Sequence, residues 1–130
     1  MDFVGPCFPA TARGNLYMFI CICCFSGWYW VVPCPDDTAE TAARCLVERV
    51  MLDLCGVPTV LCSDRANAFT SKVVKSVCET FGVKHVLGSS IHPQSQSAVE
   101  RPHREYKTLT RLYMEHFDKQ WDVIAAIFQW

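Results

Sequence analysis

Three acidic residues in this 130-residue chain stand where the residue pattern changes: Asp2 in Asp2-Phe3-Val4, Asp64 after Val60-Leu61-Cys62-Ser63, and Glu100 where a polar loop gives way to helical spacing. Thirty-five residues separate Asp64 from Glu100. Carboxylates gathered from separate elements can hold two hard divalent cations, because their oxygens suit magnesium or manganese and crowded like charges need an ion to offset them. Such an ion pair holds a phosphodiester, activates a water or a 3′-hydroxyl for in-line attack and stabilises the leaving oxygen. With Asp2 on a strand, Asp64 at the end of its neighbour and Glu100 at the first turn of a helix, we assign Asp2 as the bridging ligand, Asp64 to one ion and Glu100 to the other. No separate protein base is then needed, since the metal lowers the pKa of the nucleophile.

Two cations follow Glu100 at helical steps. Arg104 is four residues on and Lys107 seven, which puts both on the face of Glu100, where they would meet phosphates of bound DNA. Taken alone, each is more simply a solvated surface charge. In the preceding loop His92 and Gln94 either touch DNA or cap the helix. Asp36, Asp37, Asp53 and Asp122 read as caps and solvated faces.

These residues need a scaffold. Asp2-Phe3-Val4 reads as the end of a strand stopped by Gly5-Pro6. Leu16 to Cys24 is apolar on both faces and so central in a sheet; Phe25-Ser26-Gly27 turns it, and Trp28 to Val32 returns beside it. Asp37 and Glu40 have capping-box spacing for a helix whose Ala42, Leu46 and Val50 recur every four residues. Gly56 suits the left-handed position that ends it. Thr59 to Cys62 is a strand that delivers Asp64 just past its carboxyl end. Thr70 or Ser71 caps a second helix with an apolar face of Val73, Val74, Val77, Cys78 and Phe81, Gly82 stops it, and Val83 to Leu87 is a strand. Val99, His103, Tyr106, Thr110, Tyr113 and Phe117 keep helical spacing, and a last helix from about Asp118 aligns Trp121, Ile124, Ala125 and Phe128. The order βββαβαβαα specifies one α/β domain, a mixed sheet with helices on its faces, with the first strand and the last helix cut short.

Composition agrees. A chain with 51% apolar and 19% charged residues folds rather than staying disordered. Its net charge of −1 means that a nucleic-acid partner would be attracted by a local basic patch and bound metal, not by overall charge. The nine cysteines are odd in number and mostly inside apolar runs, which reads as buried thiols in a reducing compartment. Cys21-x-Cys23-Cys24 lies on a strand, where alternate side chains diverge, so zinc is a poor fit. Leu16 to Pro35 contains no charge and is long enough to span a bilayer, but Ser26-Gly27 interrupts it and prolines end it. Two buried strands describe it better than a small membrane protein.

With these residues in hand, the chain resembles the catalytic core of a retroviral-type integrase, closest to those of gypsy-class LTR retrotransposons. The likeness rests on Asp2-Phe3-Val4-Gly5-Pro6, Phe25-Ser26-x-Trp28, Thr38-Ala39-Glu40-Thr41 and Gly56-Val57-Pro58. It continues through Ser63-Asp64-Arg65, Phe69-Thr70-Ser71, His92-Pro93-Gln94-Ser95 and Val99-Glu100-Arg101-x-His103-Arg104. It implies that residues 1–130 form an integrase-core-like domain with an RNase H-like fold, a mixed five-stranded sheet flanked by helices, and two magnesium or manganese ions. It implies 3′-end processing and strand transfer of element DNA into target DNA, a dimer or higher assembly, and a nuclear or cytoplasmic location. No membrane or small-molecule substrate is implied.

The chain also departs from that family. Ala66 and Ser97 replace usual glycines, the first at a turn where strain is expected, the second in a mobile loop it would stiffen. Pro102 disfavours helical geometry at Arg101 and removes a backbone donor beside Glu100. Cys23 stands where many relatives are acidic. Such changes fit drift in a decaying or domesticated copy, so the alternative to an enzyme is a silent relative retained as a nucleic-acid or protein interaction module.

Overall fold

The computed structural model describes residues 1–52, 56–88 and 120–125. Strands β1 (Asp2–Val4), β2 (Tyr17–Ile22) and β3 (Tyr29–Cys34) form an antiparallel sheet in that order. Strands β4 (Val60–Ser63) and β5 (Lys84–Leu87) form a parallel pair. Helix α1 (Ala39–Cys45) runs into a π-helical segment, Leu46–Leu52; α2 (Asn67–Thr70) and α3 (Lys72–Thr80) lie between β4 and β5, and α4 (Trp121–Ala125) follows.

The expected single mixed sheet is therefore resolved into two ladders. Their junction is a 2.7 Å hydrogen bond from the Met1 nitrogen to the Cys62 carbonyl. Two residues on, the Phe3 amide donates to the carboxylate of Asp2 at 2.8 Å, which withdraws a donor from any longer ladder.

Strand β2 is central, as its pattern requires. Its alternation sends Phe19 and Cys21 to one face and Met18 and Ile20 to the other, and all four are buried. Phe19 and Cys21 join Ala42, Leu46, Val50, Leu61, Phe69, Val74 and Cys78 in the larger core. Met18 and Ile20 meet Val31, Trp121 and Ala125 in the smaller one. Helix α4 is moored there by Trp121 Nε1 donating to the Pro9 carbonyl at 3.3 Å and by Asn15 Nδ2 donating to Asp122 Oδ2 at 3.1 Å. Asp122 is thus a buried acceptor rather than a solvated charge. The apolar run from Leu16 to Pro35 is the β2–β3 hairpin, and no helix among the described residues is long and apolar enough to cross a membrane. Pro33 lies inside β3, opposite Met18, rather than ending the run; β3 is the outer strand of its ladder, so the missing amide is tolerated.

Local chemistry explains the helix ends. Thr38, not Asp37, caps α1: its hydroxyl accepts the Thr41 amide at 3.3 Å. Asp36 Oδ1 in turn accepts the Thr38 amide at 3.1 Å and the Thr38 and Thr41 hydroxyls at 2.7 and 2.6 Å. Those donors hold the Asp36 carboxyl below its usual pKa. Ser71 caps α3, accepting the Val74 amide at 3.3 Å. Gly82, at φ 69°, closes it, with its own amide bonded to the Glu79 carbonyl and that of Val83 to Cys78. Of the predicted α3 face, Val74 and Cys78 are buried and Val77 half-buried, whereas Val73 and Phe81 are exposed. Gly56 does not take the expected left-handed φ.

Five cysteines are core residues: Cys7, Cys21, Cys34, Cys45 and Cys78. Cys34 and Cys45 sulfurs lie 3.4 Å apart, and that contact together with burial keeps the Cys45 thiol strongly protonated. Cys23 and Cys62 are half-buried and Cys24 is exposed, since all three sit at or beyond strand ends or beside the ladder junction. Cys55 and Asp53 lie outside the described residues.

Candidate active site

Two of the three expected metal-binding carboxylates can be placed. Asp2 opens β1 opposite Ile20, and Asp64 is the first residue beyond β4, as the sequence indicates. Because Met1 bonds to Cys62, Asp2 is one residue and Asp64 two residues from the same 2.7 Å contact. Glu100 lies outside the described residues, as do His92, Gln94, Arg104, Lys107, Ser97 and Pro102. Among the described residues no three ligating side chains converge.

Asp64 is exposed, and its turn is tightly specified. Its Oδ1 accepts the Ala66 amide at 2.9 Å, the side-chain-to-backbone loop that aspartate favours in turns. Ala66 itself adopts φ −59° and ψ 147°, an extended conformation open to any residue. The strain expected from replacing glycine there is absent, because the chain never needs a positive φ at that position. Upstream, Gly88 N–H donates to the Ser63 carbonyl at 2.8 Å, which ties the start of the turn to the end of β5. Gly88 has φ 66°, and a Cβ added to it would lie 2.9 Å from Arg65 Nε. The Arg65 side chain therefore lies across Gly88, next to Asp64.

Sequence reasoning passed over two residues here. Ser63 Oγ lies 3.0 Å from the Asp64 carbonyl and 2.9 Å from His85 Nε2. His85 is half-buried on β5 opposite Leu61, and desolvation, followed by the nearby amino terminus, lowers its pKa below the usual value. The available signal was positional: in the β4–β5 pairing, residues 61, 63, 85 and 87 share one face, which becomes visible only once the register is known.

The donors fit a hard divalent cation. Both placed groups are carboxylates on or next to strands, and a carboxylate that accepts one amide still has oxygen lone pairs available.

Comparison with known proteins identifies the fold of this α/β chain, which carries one acid on its first strand and another just past β4. The catalytic core domain of BIV integrase superposes with a TM-score of 0.71 at 24% identity, over 96% of this chain and 77% of that one. The fold is therefore RNase H-like, that of a retroviral integrase core. The profile of the Integrase core domain family matches residues 1–93, and this chain belongs to that family. It is 38% identical over 115 residues to the Gag-Pol polyprotein of feline leukemia virus and 37% identical to that of koala retrovirus. The matched region is 88% of this chain but only 7% of either polyprotein.

Proposed function

We propose that this chain is the catalytic core of an integrase, acting on DNA ends by 3′-processing and strand transfer. The observation that supports this best is the placement of Asp2 and Asp64 on either side of the Met1–Cys62 junction, within a chain of the Integrase core domain family. Asp2, Asp64 and Glu100 would hold two magnesium or manganese ions, which when bound supply Lewis-acid activation of the nucleophile and leaving group. The protein's own part is to fix the carboxylates: Asp64 by its Ala66 hydrogen bond, Asp2 by its position on β1. His92, Gln94, Arg104 and Lys107 would follow the DNA backbone, with Arg65 beside Asp64 as a further cation. Assembly as a dimer or larger species belongs to the same reading. Within the family, the retroviral relatives support a retrovirus-like origin, and the gypsy-class placement rests on the sequence motifs alone.

The test is manganese-dependent nicking and joining of oligonucleotides carrying element-type ends, by the wild-type chain and by Asp64→Asn. Activity that falls at least ~100-fold in Asp64→Asn supports the proposal, since metal stabilisation of transition-state charge is worth several kcal/mol. A folded wild-type chain without activity favours the second reading, a silent interaction module, which the Pro102 substitution beside Glu100 supports. Pro102→Phe separates the two: restored activity identifies drift from an enzyme.

A further inference from the structure

We propose that His85 is a positioning residue for Asp64, acting through the hydroxyl of Ser63; the inference rests on Asp64 being a metal ligand as read above. The hydrogen-bond arithmetic leaves one arrangement. A serine hydroxyl has a single proton, and the Asp64 carbonyl can only accept, so Ser63 Oγ donates to it across 3.0 Å. The 2.9 Å contact to His85 must then run the other way, with Nε2–H donating to Ser63 Oγ. His85 is therefore the Nε2–H tautomer, and its ring orients the hydroxyl that holds the Asp64 peptide.

The elements make this relay rigid at each step. His85 and Ser63 share a face of the parallel β4–β5 pair, two residues apart in register. Ser63 is buried, 8% exposed, so water does not readily replace either bond. Its carbonyl is held by Gly88 N–H at 2.8 Å. Beyond the relay, Asp64 Oδ1 is held by Ala66 N–H at 2.9 Å. The peptide unit before Asp64 is thus fixed by Gly88 N–H, the one after it by the His85–Ser63 pair, and the Asp64 side chain by the Ala66 amide. The same arrangement argues against Ser63 as a nucleophile: its proton is directed at a carbonyl, and His85 presents a donor, not a base.

The test uses the 130-residue chain with isotope labelling. The side-chain nitrogen spectrum of His85 should show protonated Nε2 in the wild type and a tautomer mixture in Ser63→Ala. The Ala66 amide proton, held downfield by Asp64 Oδ1, should move upfield in His85→Leu and Ser63→Ala and return in His85→Gln, whose amide nitrogen reaches the same place. The amide of Val74 should stay put. Titration with manganese, followed by water-proton relaxation, should show half-saturation rising about tenfold in His85→Leu and Ser63→Ala, but less than about twofold in His85→Gln. An Ala66 resonance and a manganese affinity both unchanged in His85→Leu would overturn the proposal. Manganese binding that is indistinguishable in the wild type and Asp64→Asn would sink the metal reading instead. The Ala66 resonance then decides the positioning role by itself, in either direction. Should His85→Leu fail to fold, Ser63→Ala, which removes one atom, gives the same two readouts.

Discussion

Phe3 stacks on Phe69 with ring centroids 5.5 Å apart and planes within 10° of parallel. Phe3 is the neighbour of Asp2 and Phe69 lies in the helix just after Asp64, so one ring pair clamps together the two acid-bearing segments. Phe3 also meets Phe19 edge-on at 5.5 Å, which carries the clamp into the central strand. Phe69 is 1% exposed, and Phe69→Ala should cost about 3–5 kcal/mol, read as a lower urea midpoint with little change in slope. Phe69→Leu, which keeps most of the apolar volume, should lose clearly less.

The Asp36 network makes a pH-dependent contribution of definite sign. Its folded-state pKa is depressed by the Thr41 and Thr38 hydroxyls, so the stabilisation is present above the unfolded value of about 3.9 and is lost as pH falls through the folded value. Asp36→Ala should lower stability by about 1 kcal/mol at neutral pH. Below about pH 4 the two proteins should converge, as followed by thermal unfolding across pH.

Gly5 resists substitution on two grounds. Its φ of 150° belongs to a region that side chains avoid, and a Cβ there would meet Tyr17 Cδ1 at 2.6 Å and the Leu16 carbonyl at 2.8 Å. Gly5→Ala should destabilise by about 1–3 kcal/mol, whereas Gly14→Ala, whose Cβ meets nothing within 4 Å, should cost less because only its φ of 80° is unfavourable. Parallel denaturation curves of the two variants check the ordering.

Among the described cysteines, Cys23 should be alkylated ahead of the buried thiols at neutral pH. Hydrogen bonds from Ser26 and from the backbone at Ser26 and Phe25 lower its pKa, whereas burial raises those of Cys7, Cys21, Cys62 and Cys78. Mass spectrometry of the chain under limiting iodoacetamide should show the Cys23 adduct before those of the buried thiols, and Ser26→Ala should slow it by severalfold.

By itself the sequence determined the order of the elements from β1 to β5 and the family at the level of the integrase core. An unbroken apolar stretch marked β2 as a strand buried on both faces, and the charge-free Leu16–Pro35 run read correctly as a hairpin because Ser26-Gly27 breaks it. The four-residue recurrence of Ala42, Leu46 and Val50 marked a buried helical face, because periodicity reports which side meets the core. The position of Asp64 beyond β4 was legible because strand and turn chemistry are local. What only the tertiary structure decided depends on contacts between distant residues. Spacing could not show that Asp122 is a buried acceptor for Asn15, 107 positions away, or that Asp36 rather than Asp37 organises the α1 cap. Nor could it reveal the split into two ladders, the ordinary backbone at Ala66, or the His85–Ser63–Asp64 relay. Each of these is set by register and by competition among donors for particular acceptors, which exist only after the strands have paired.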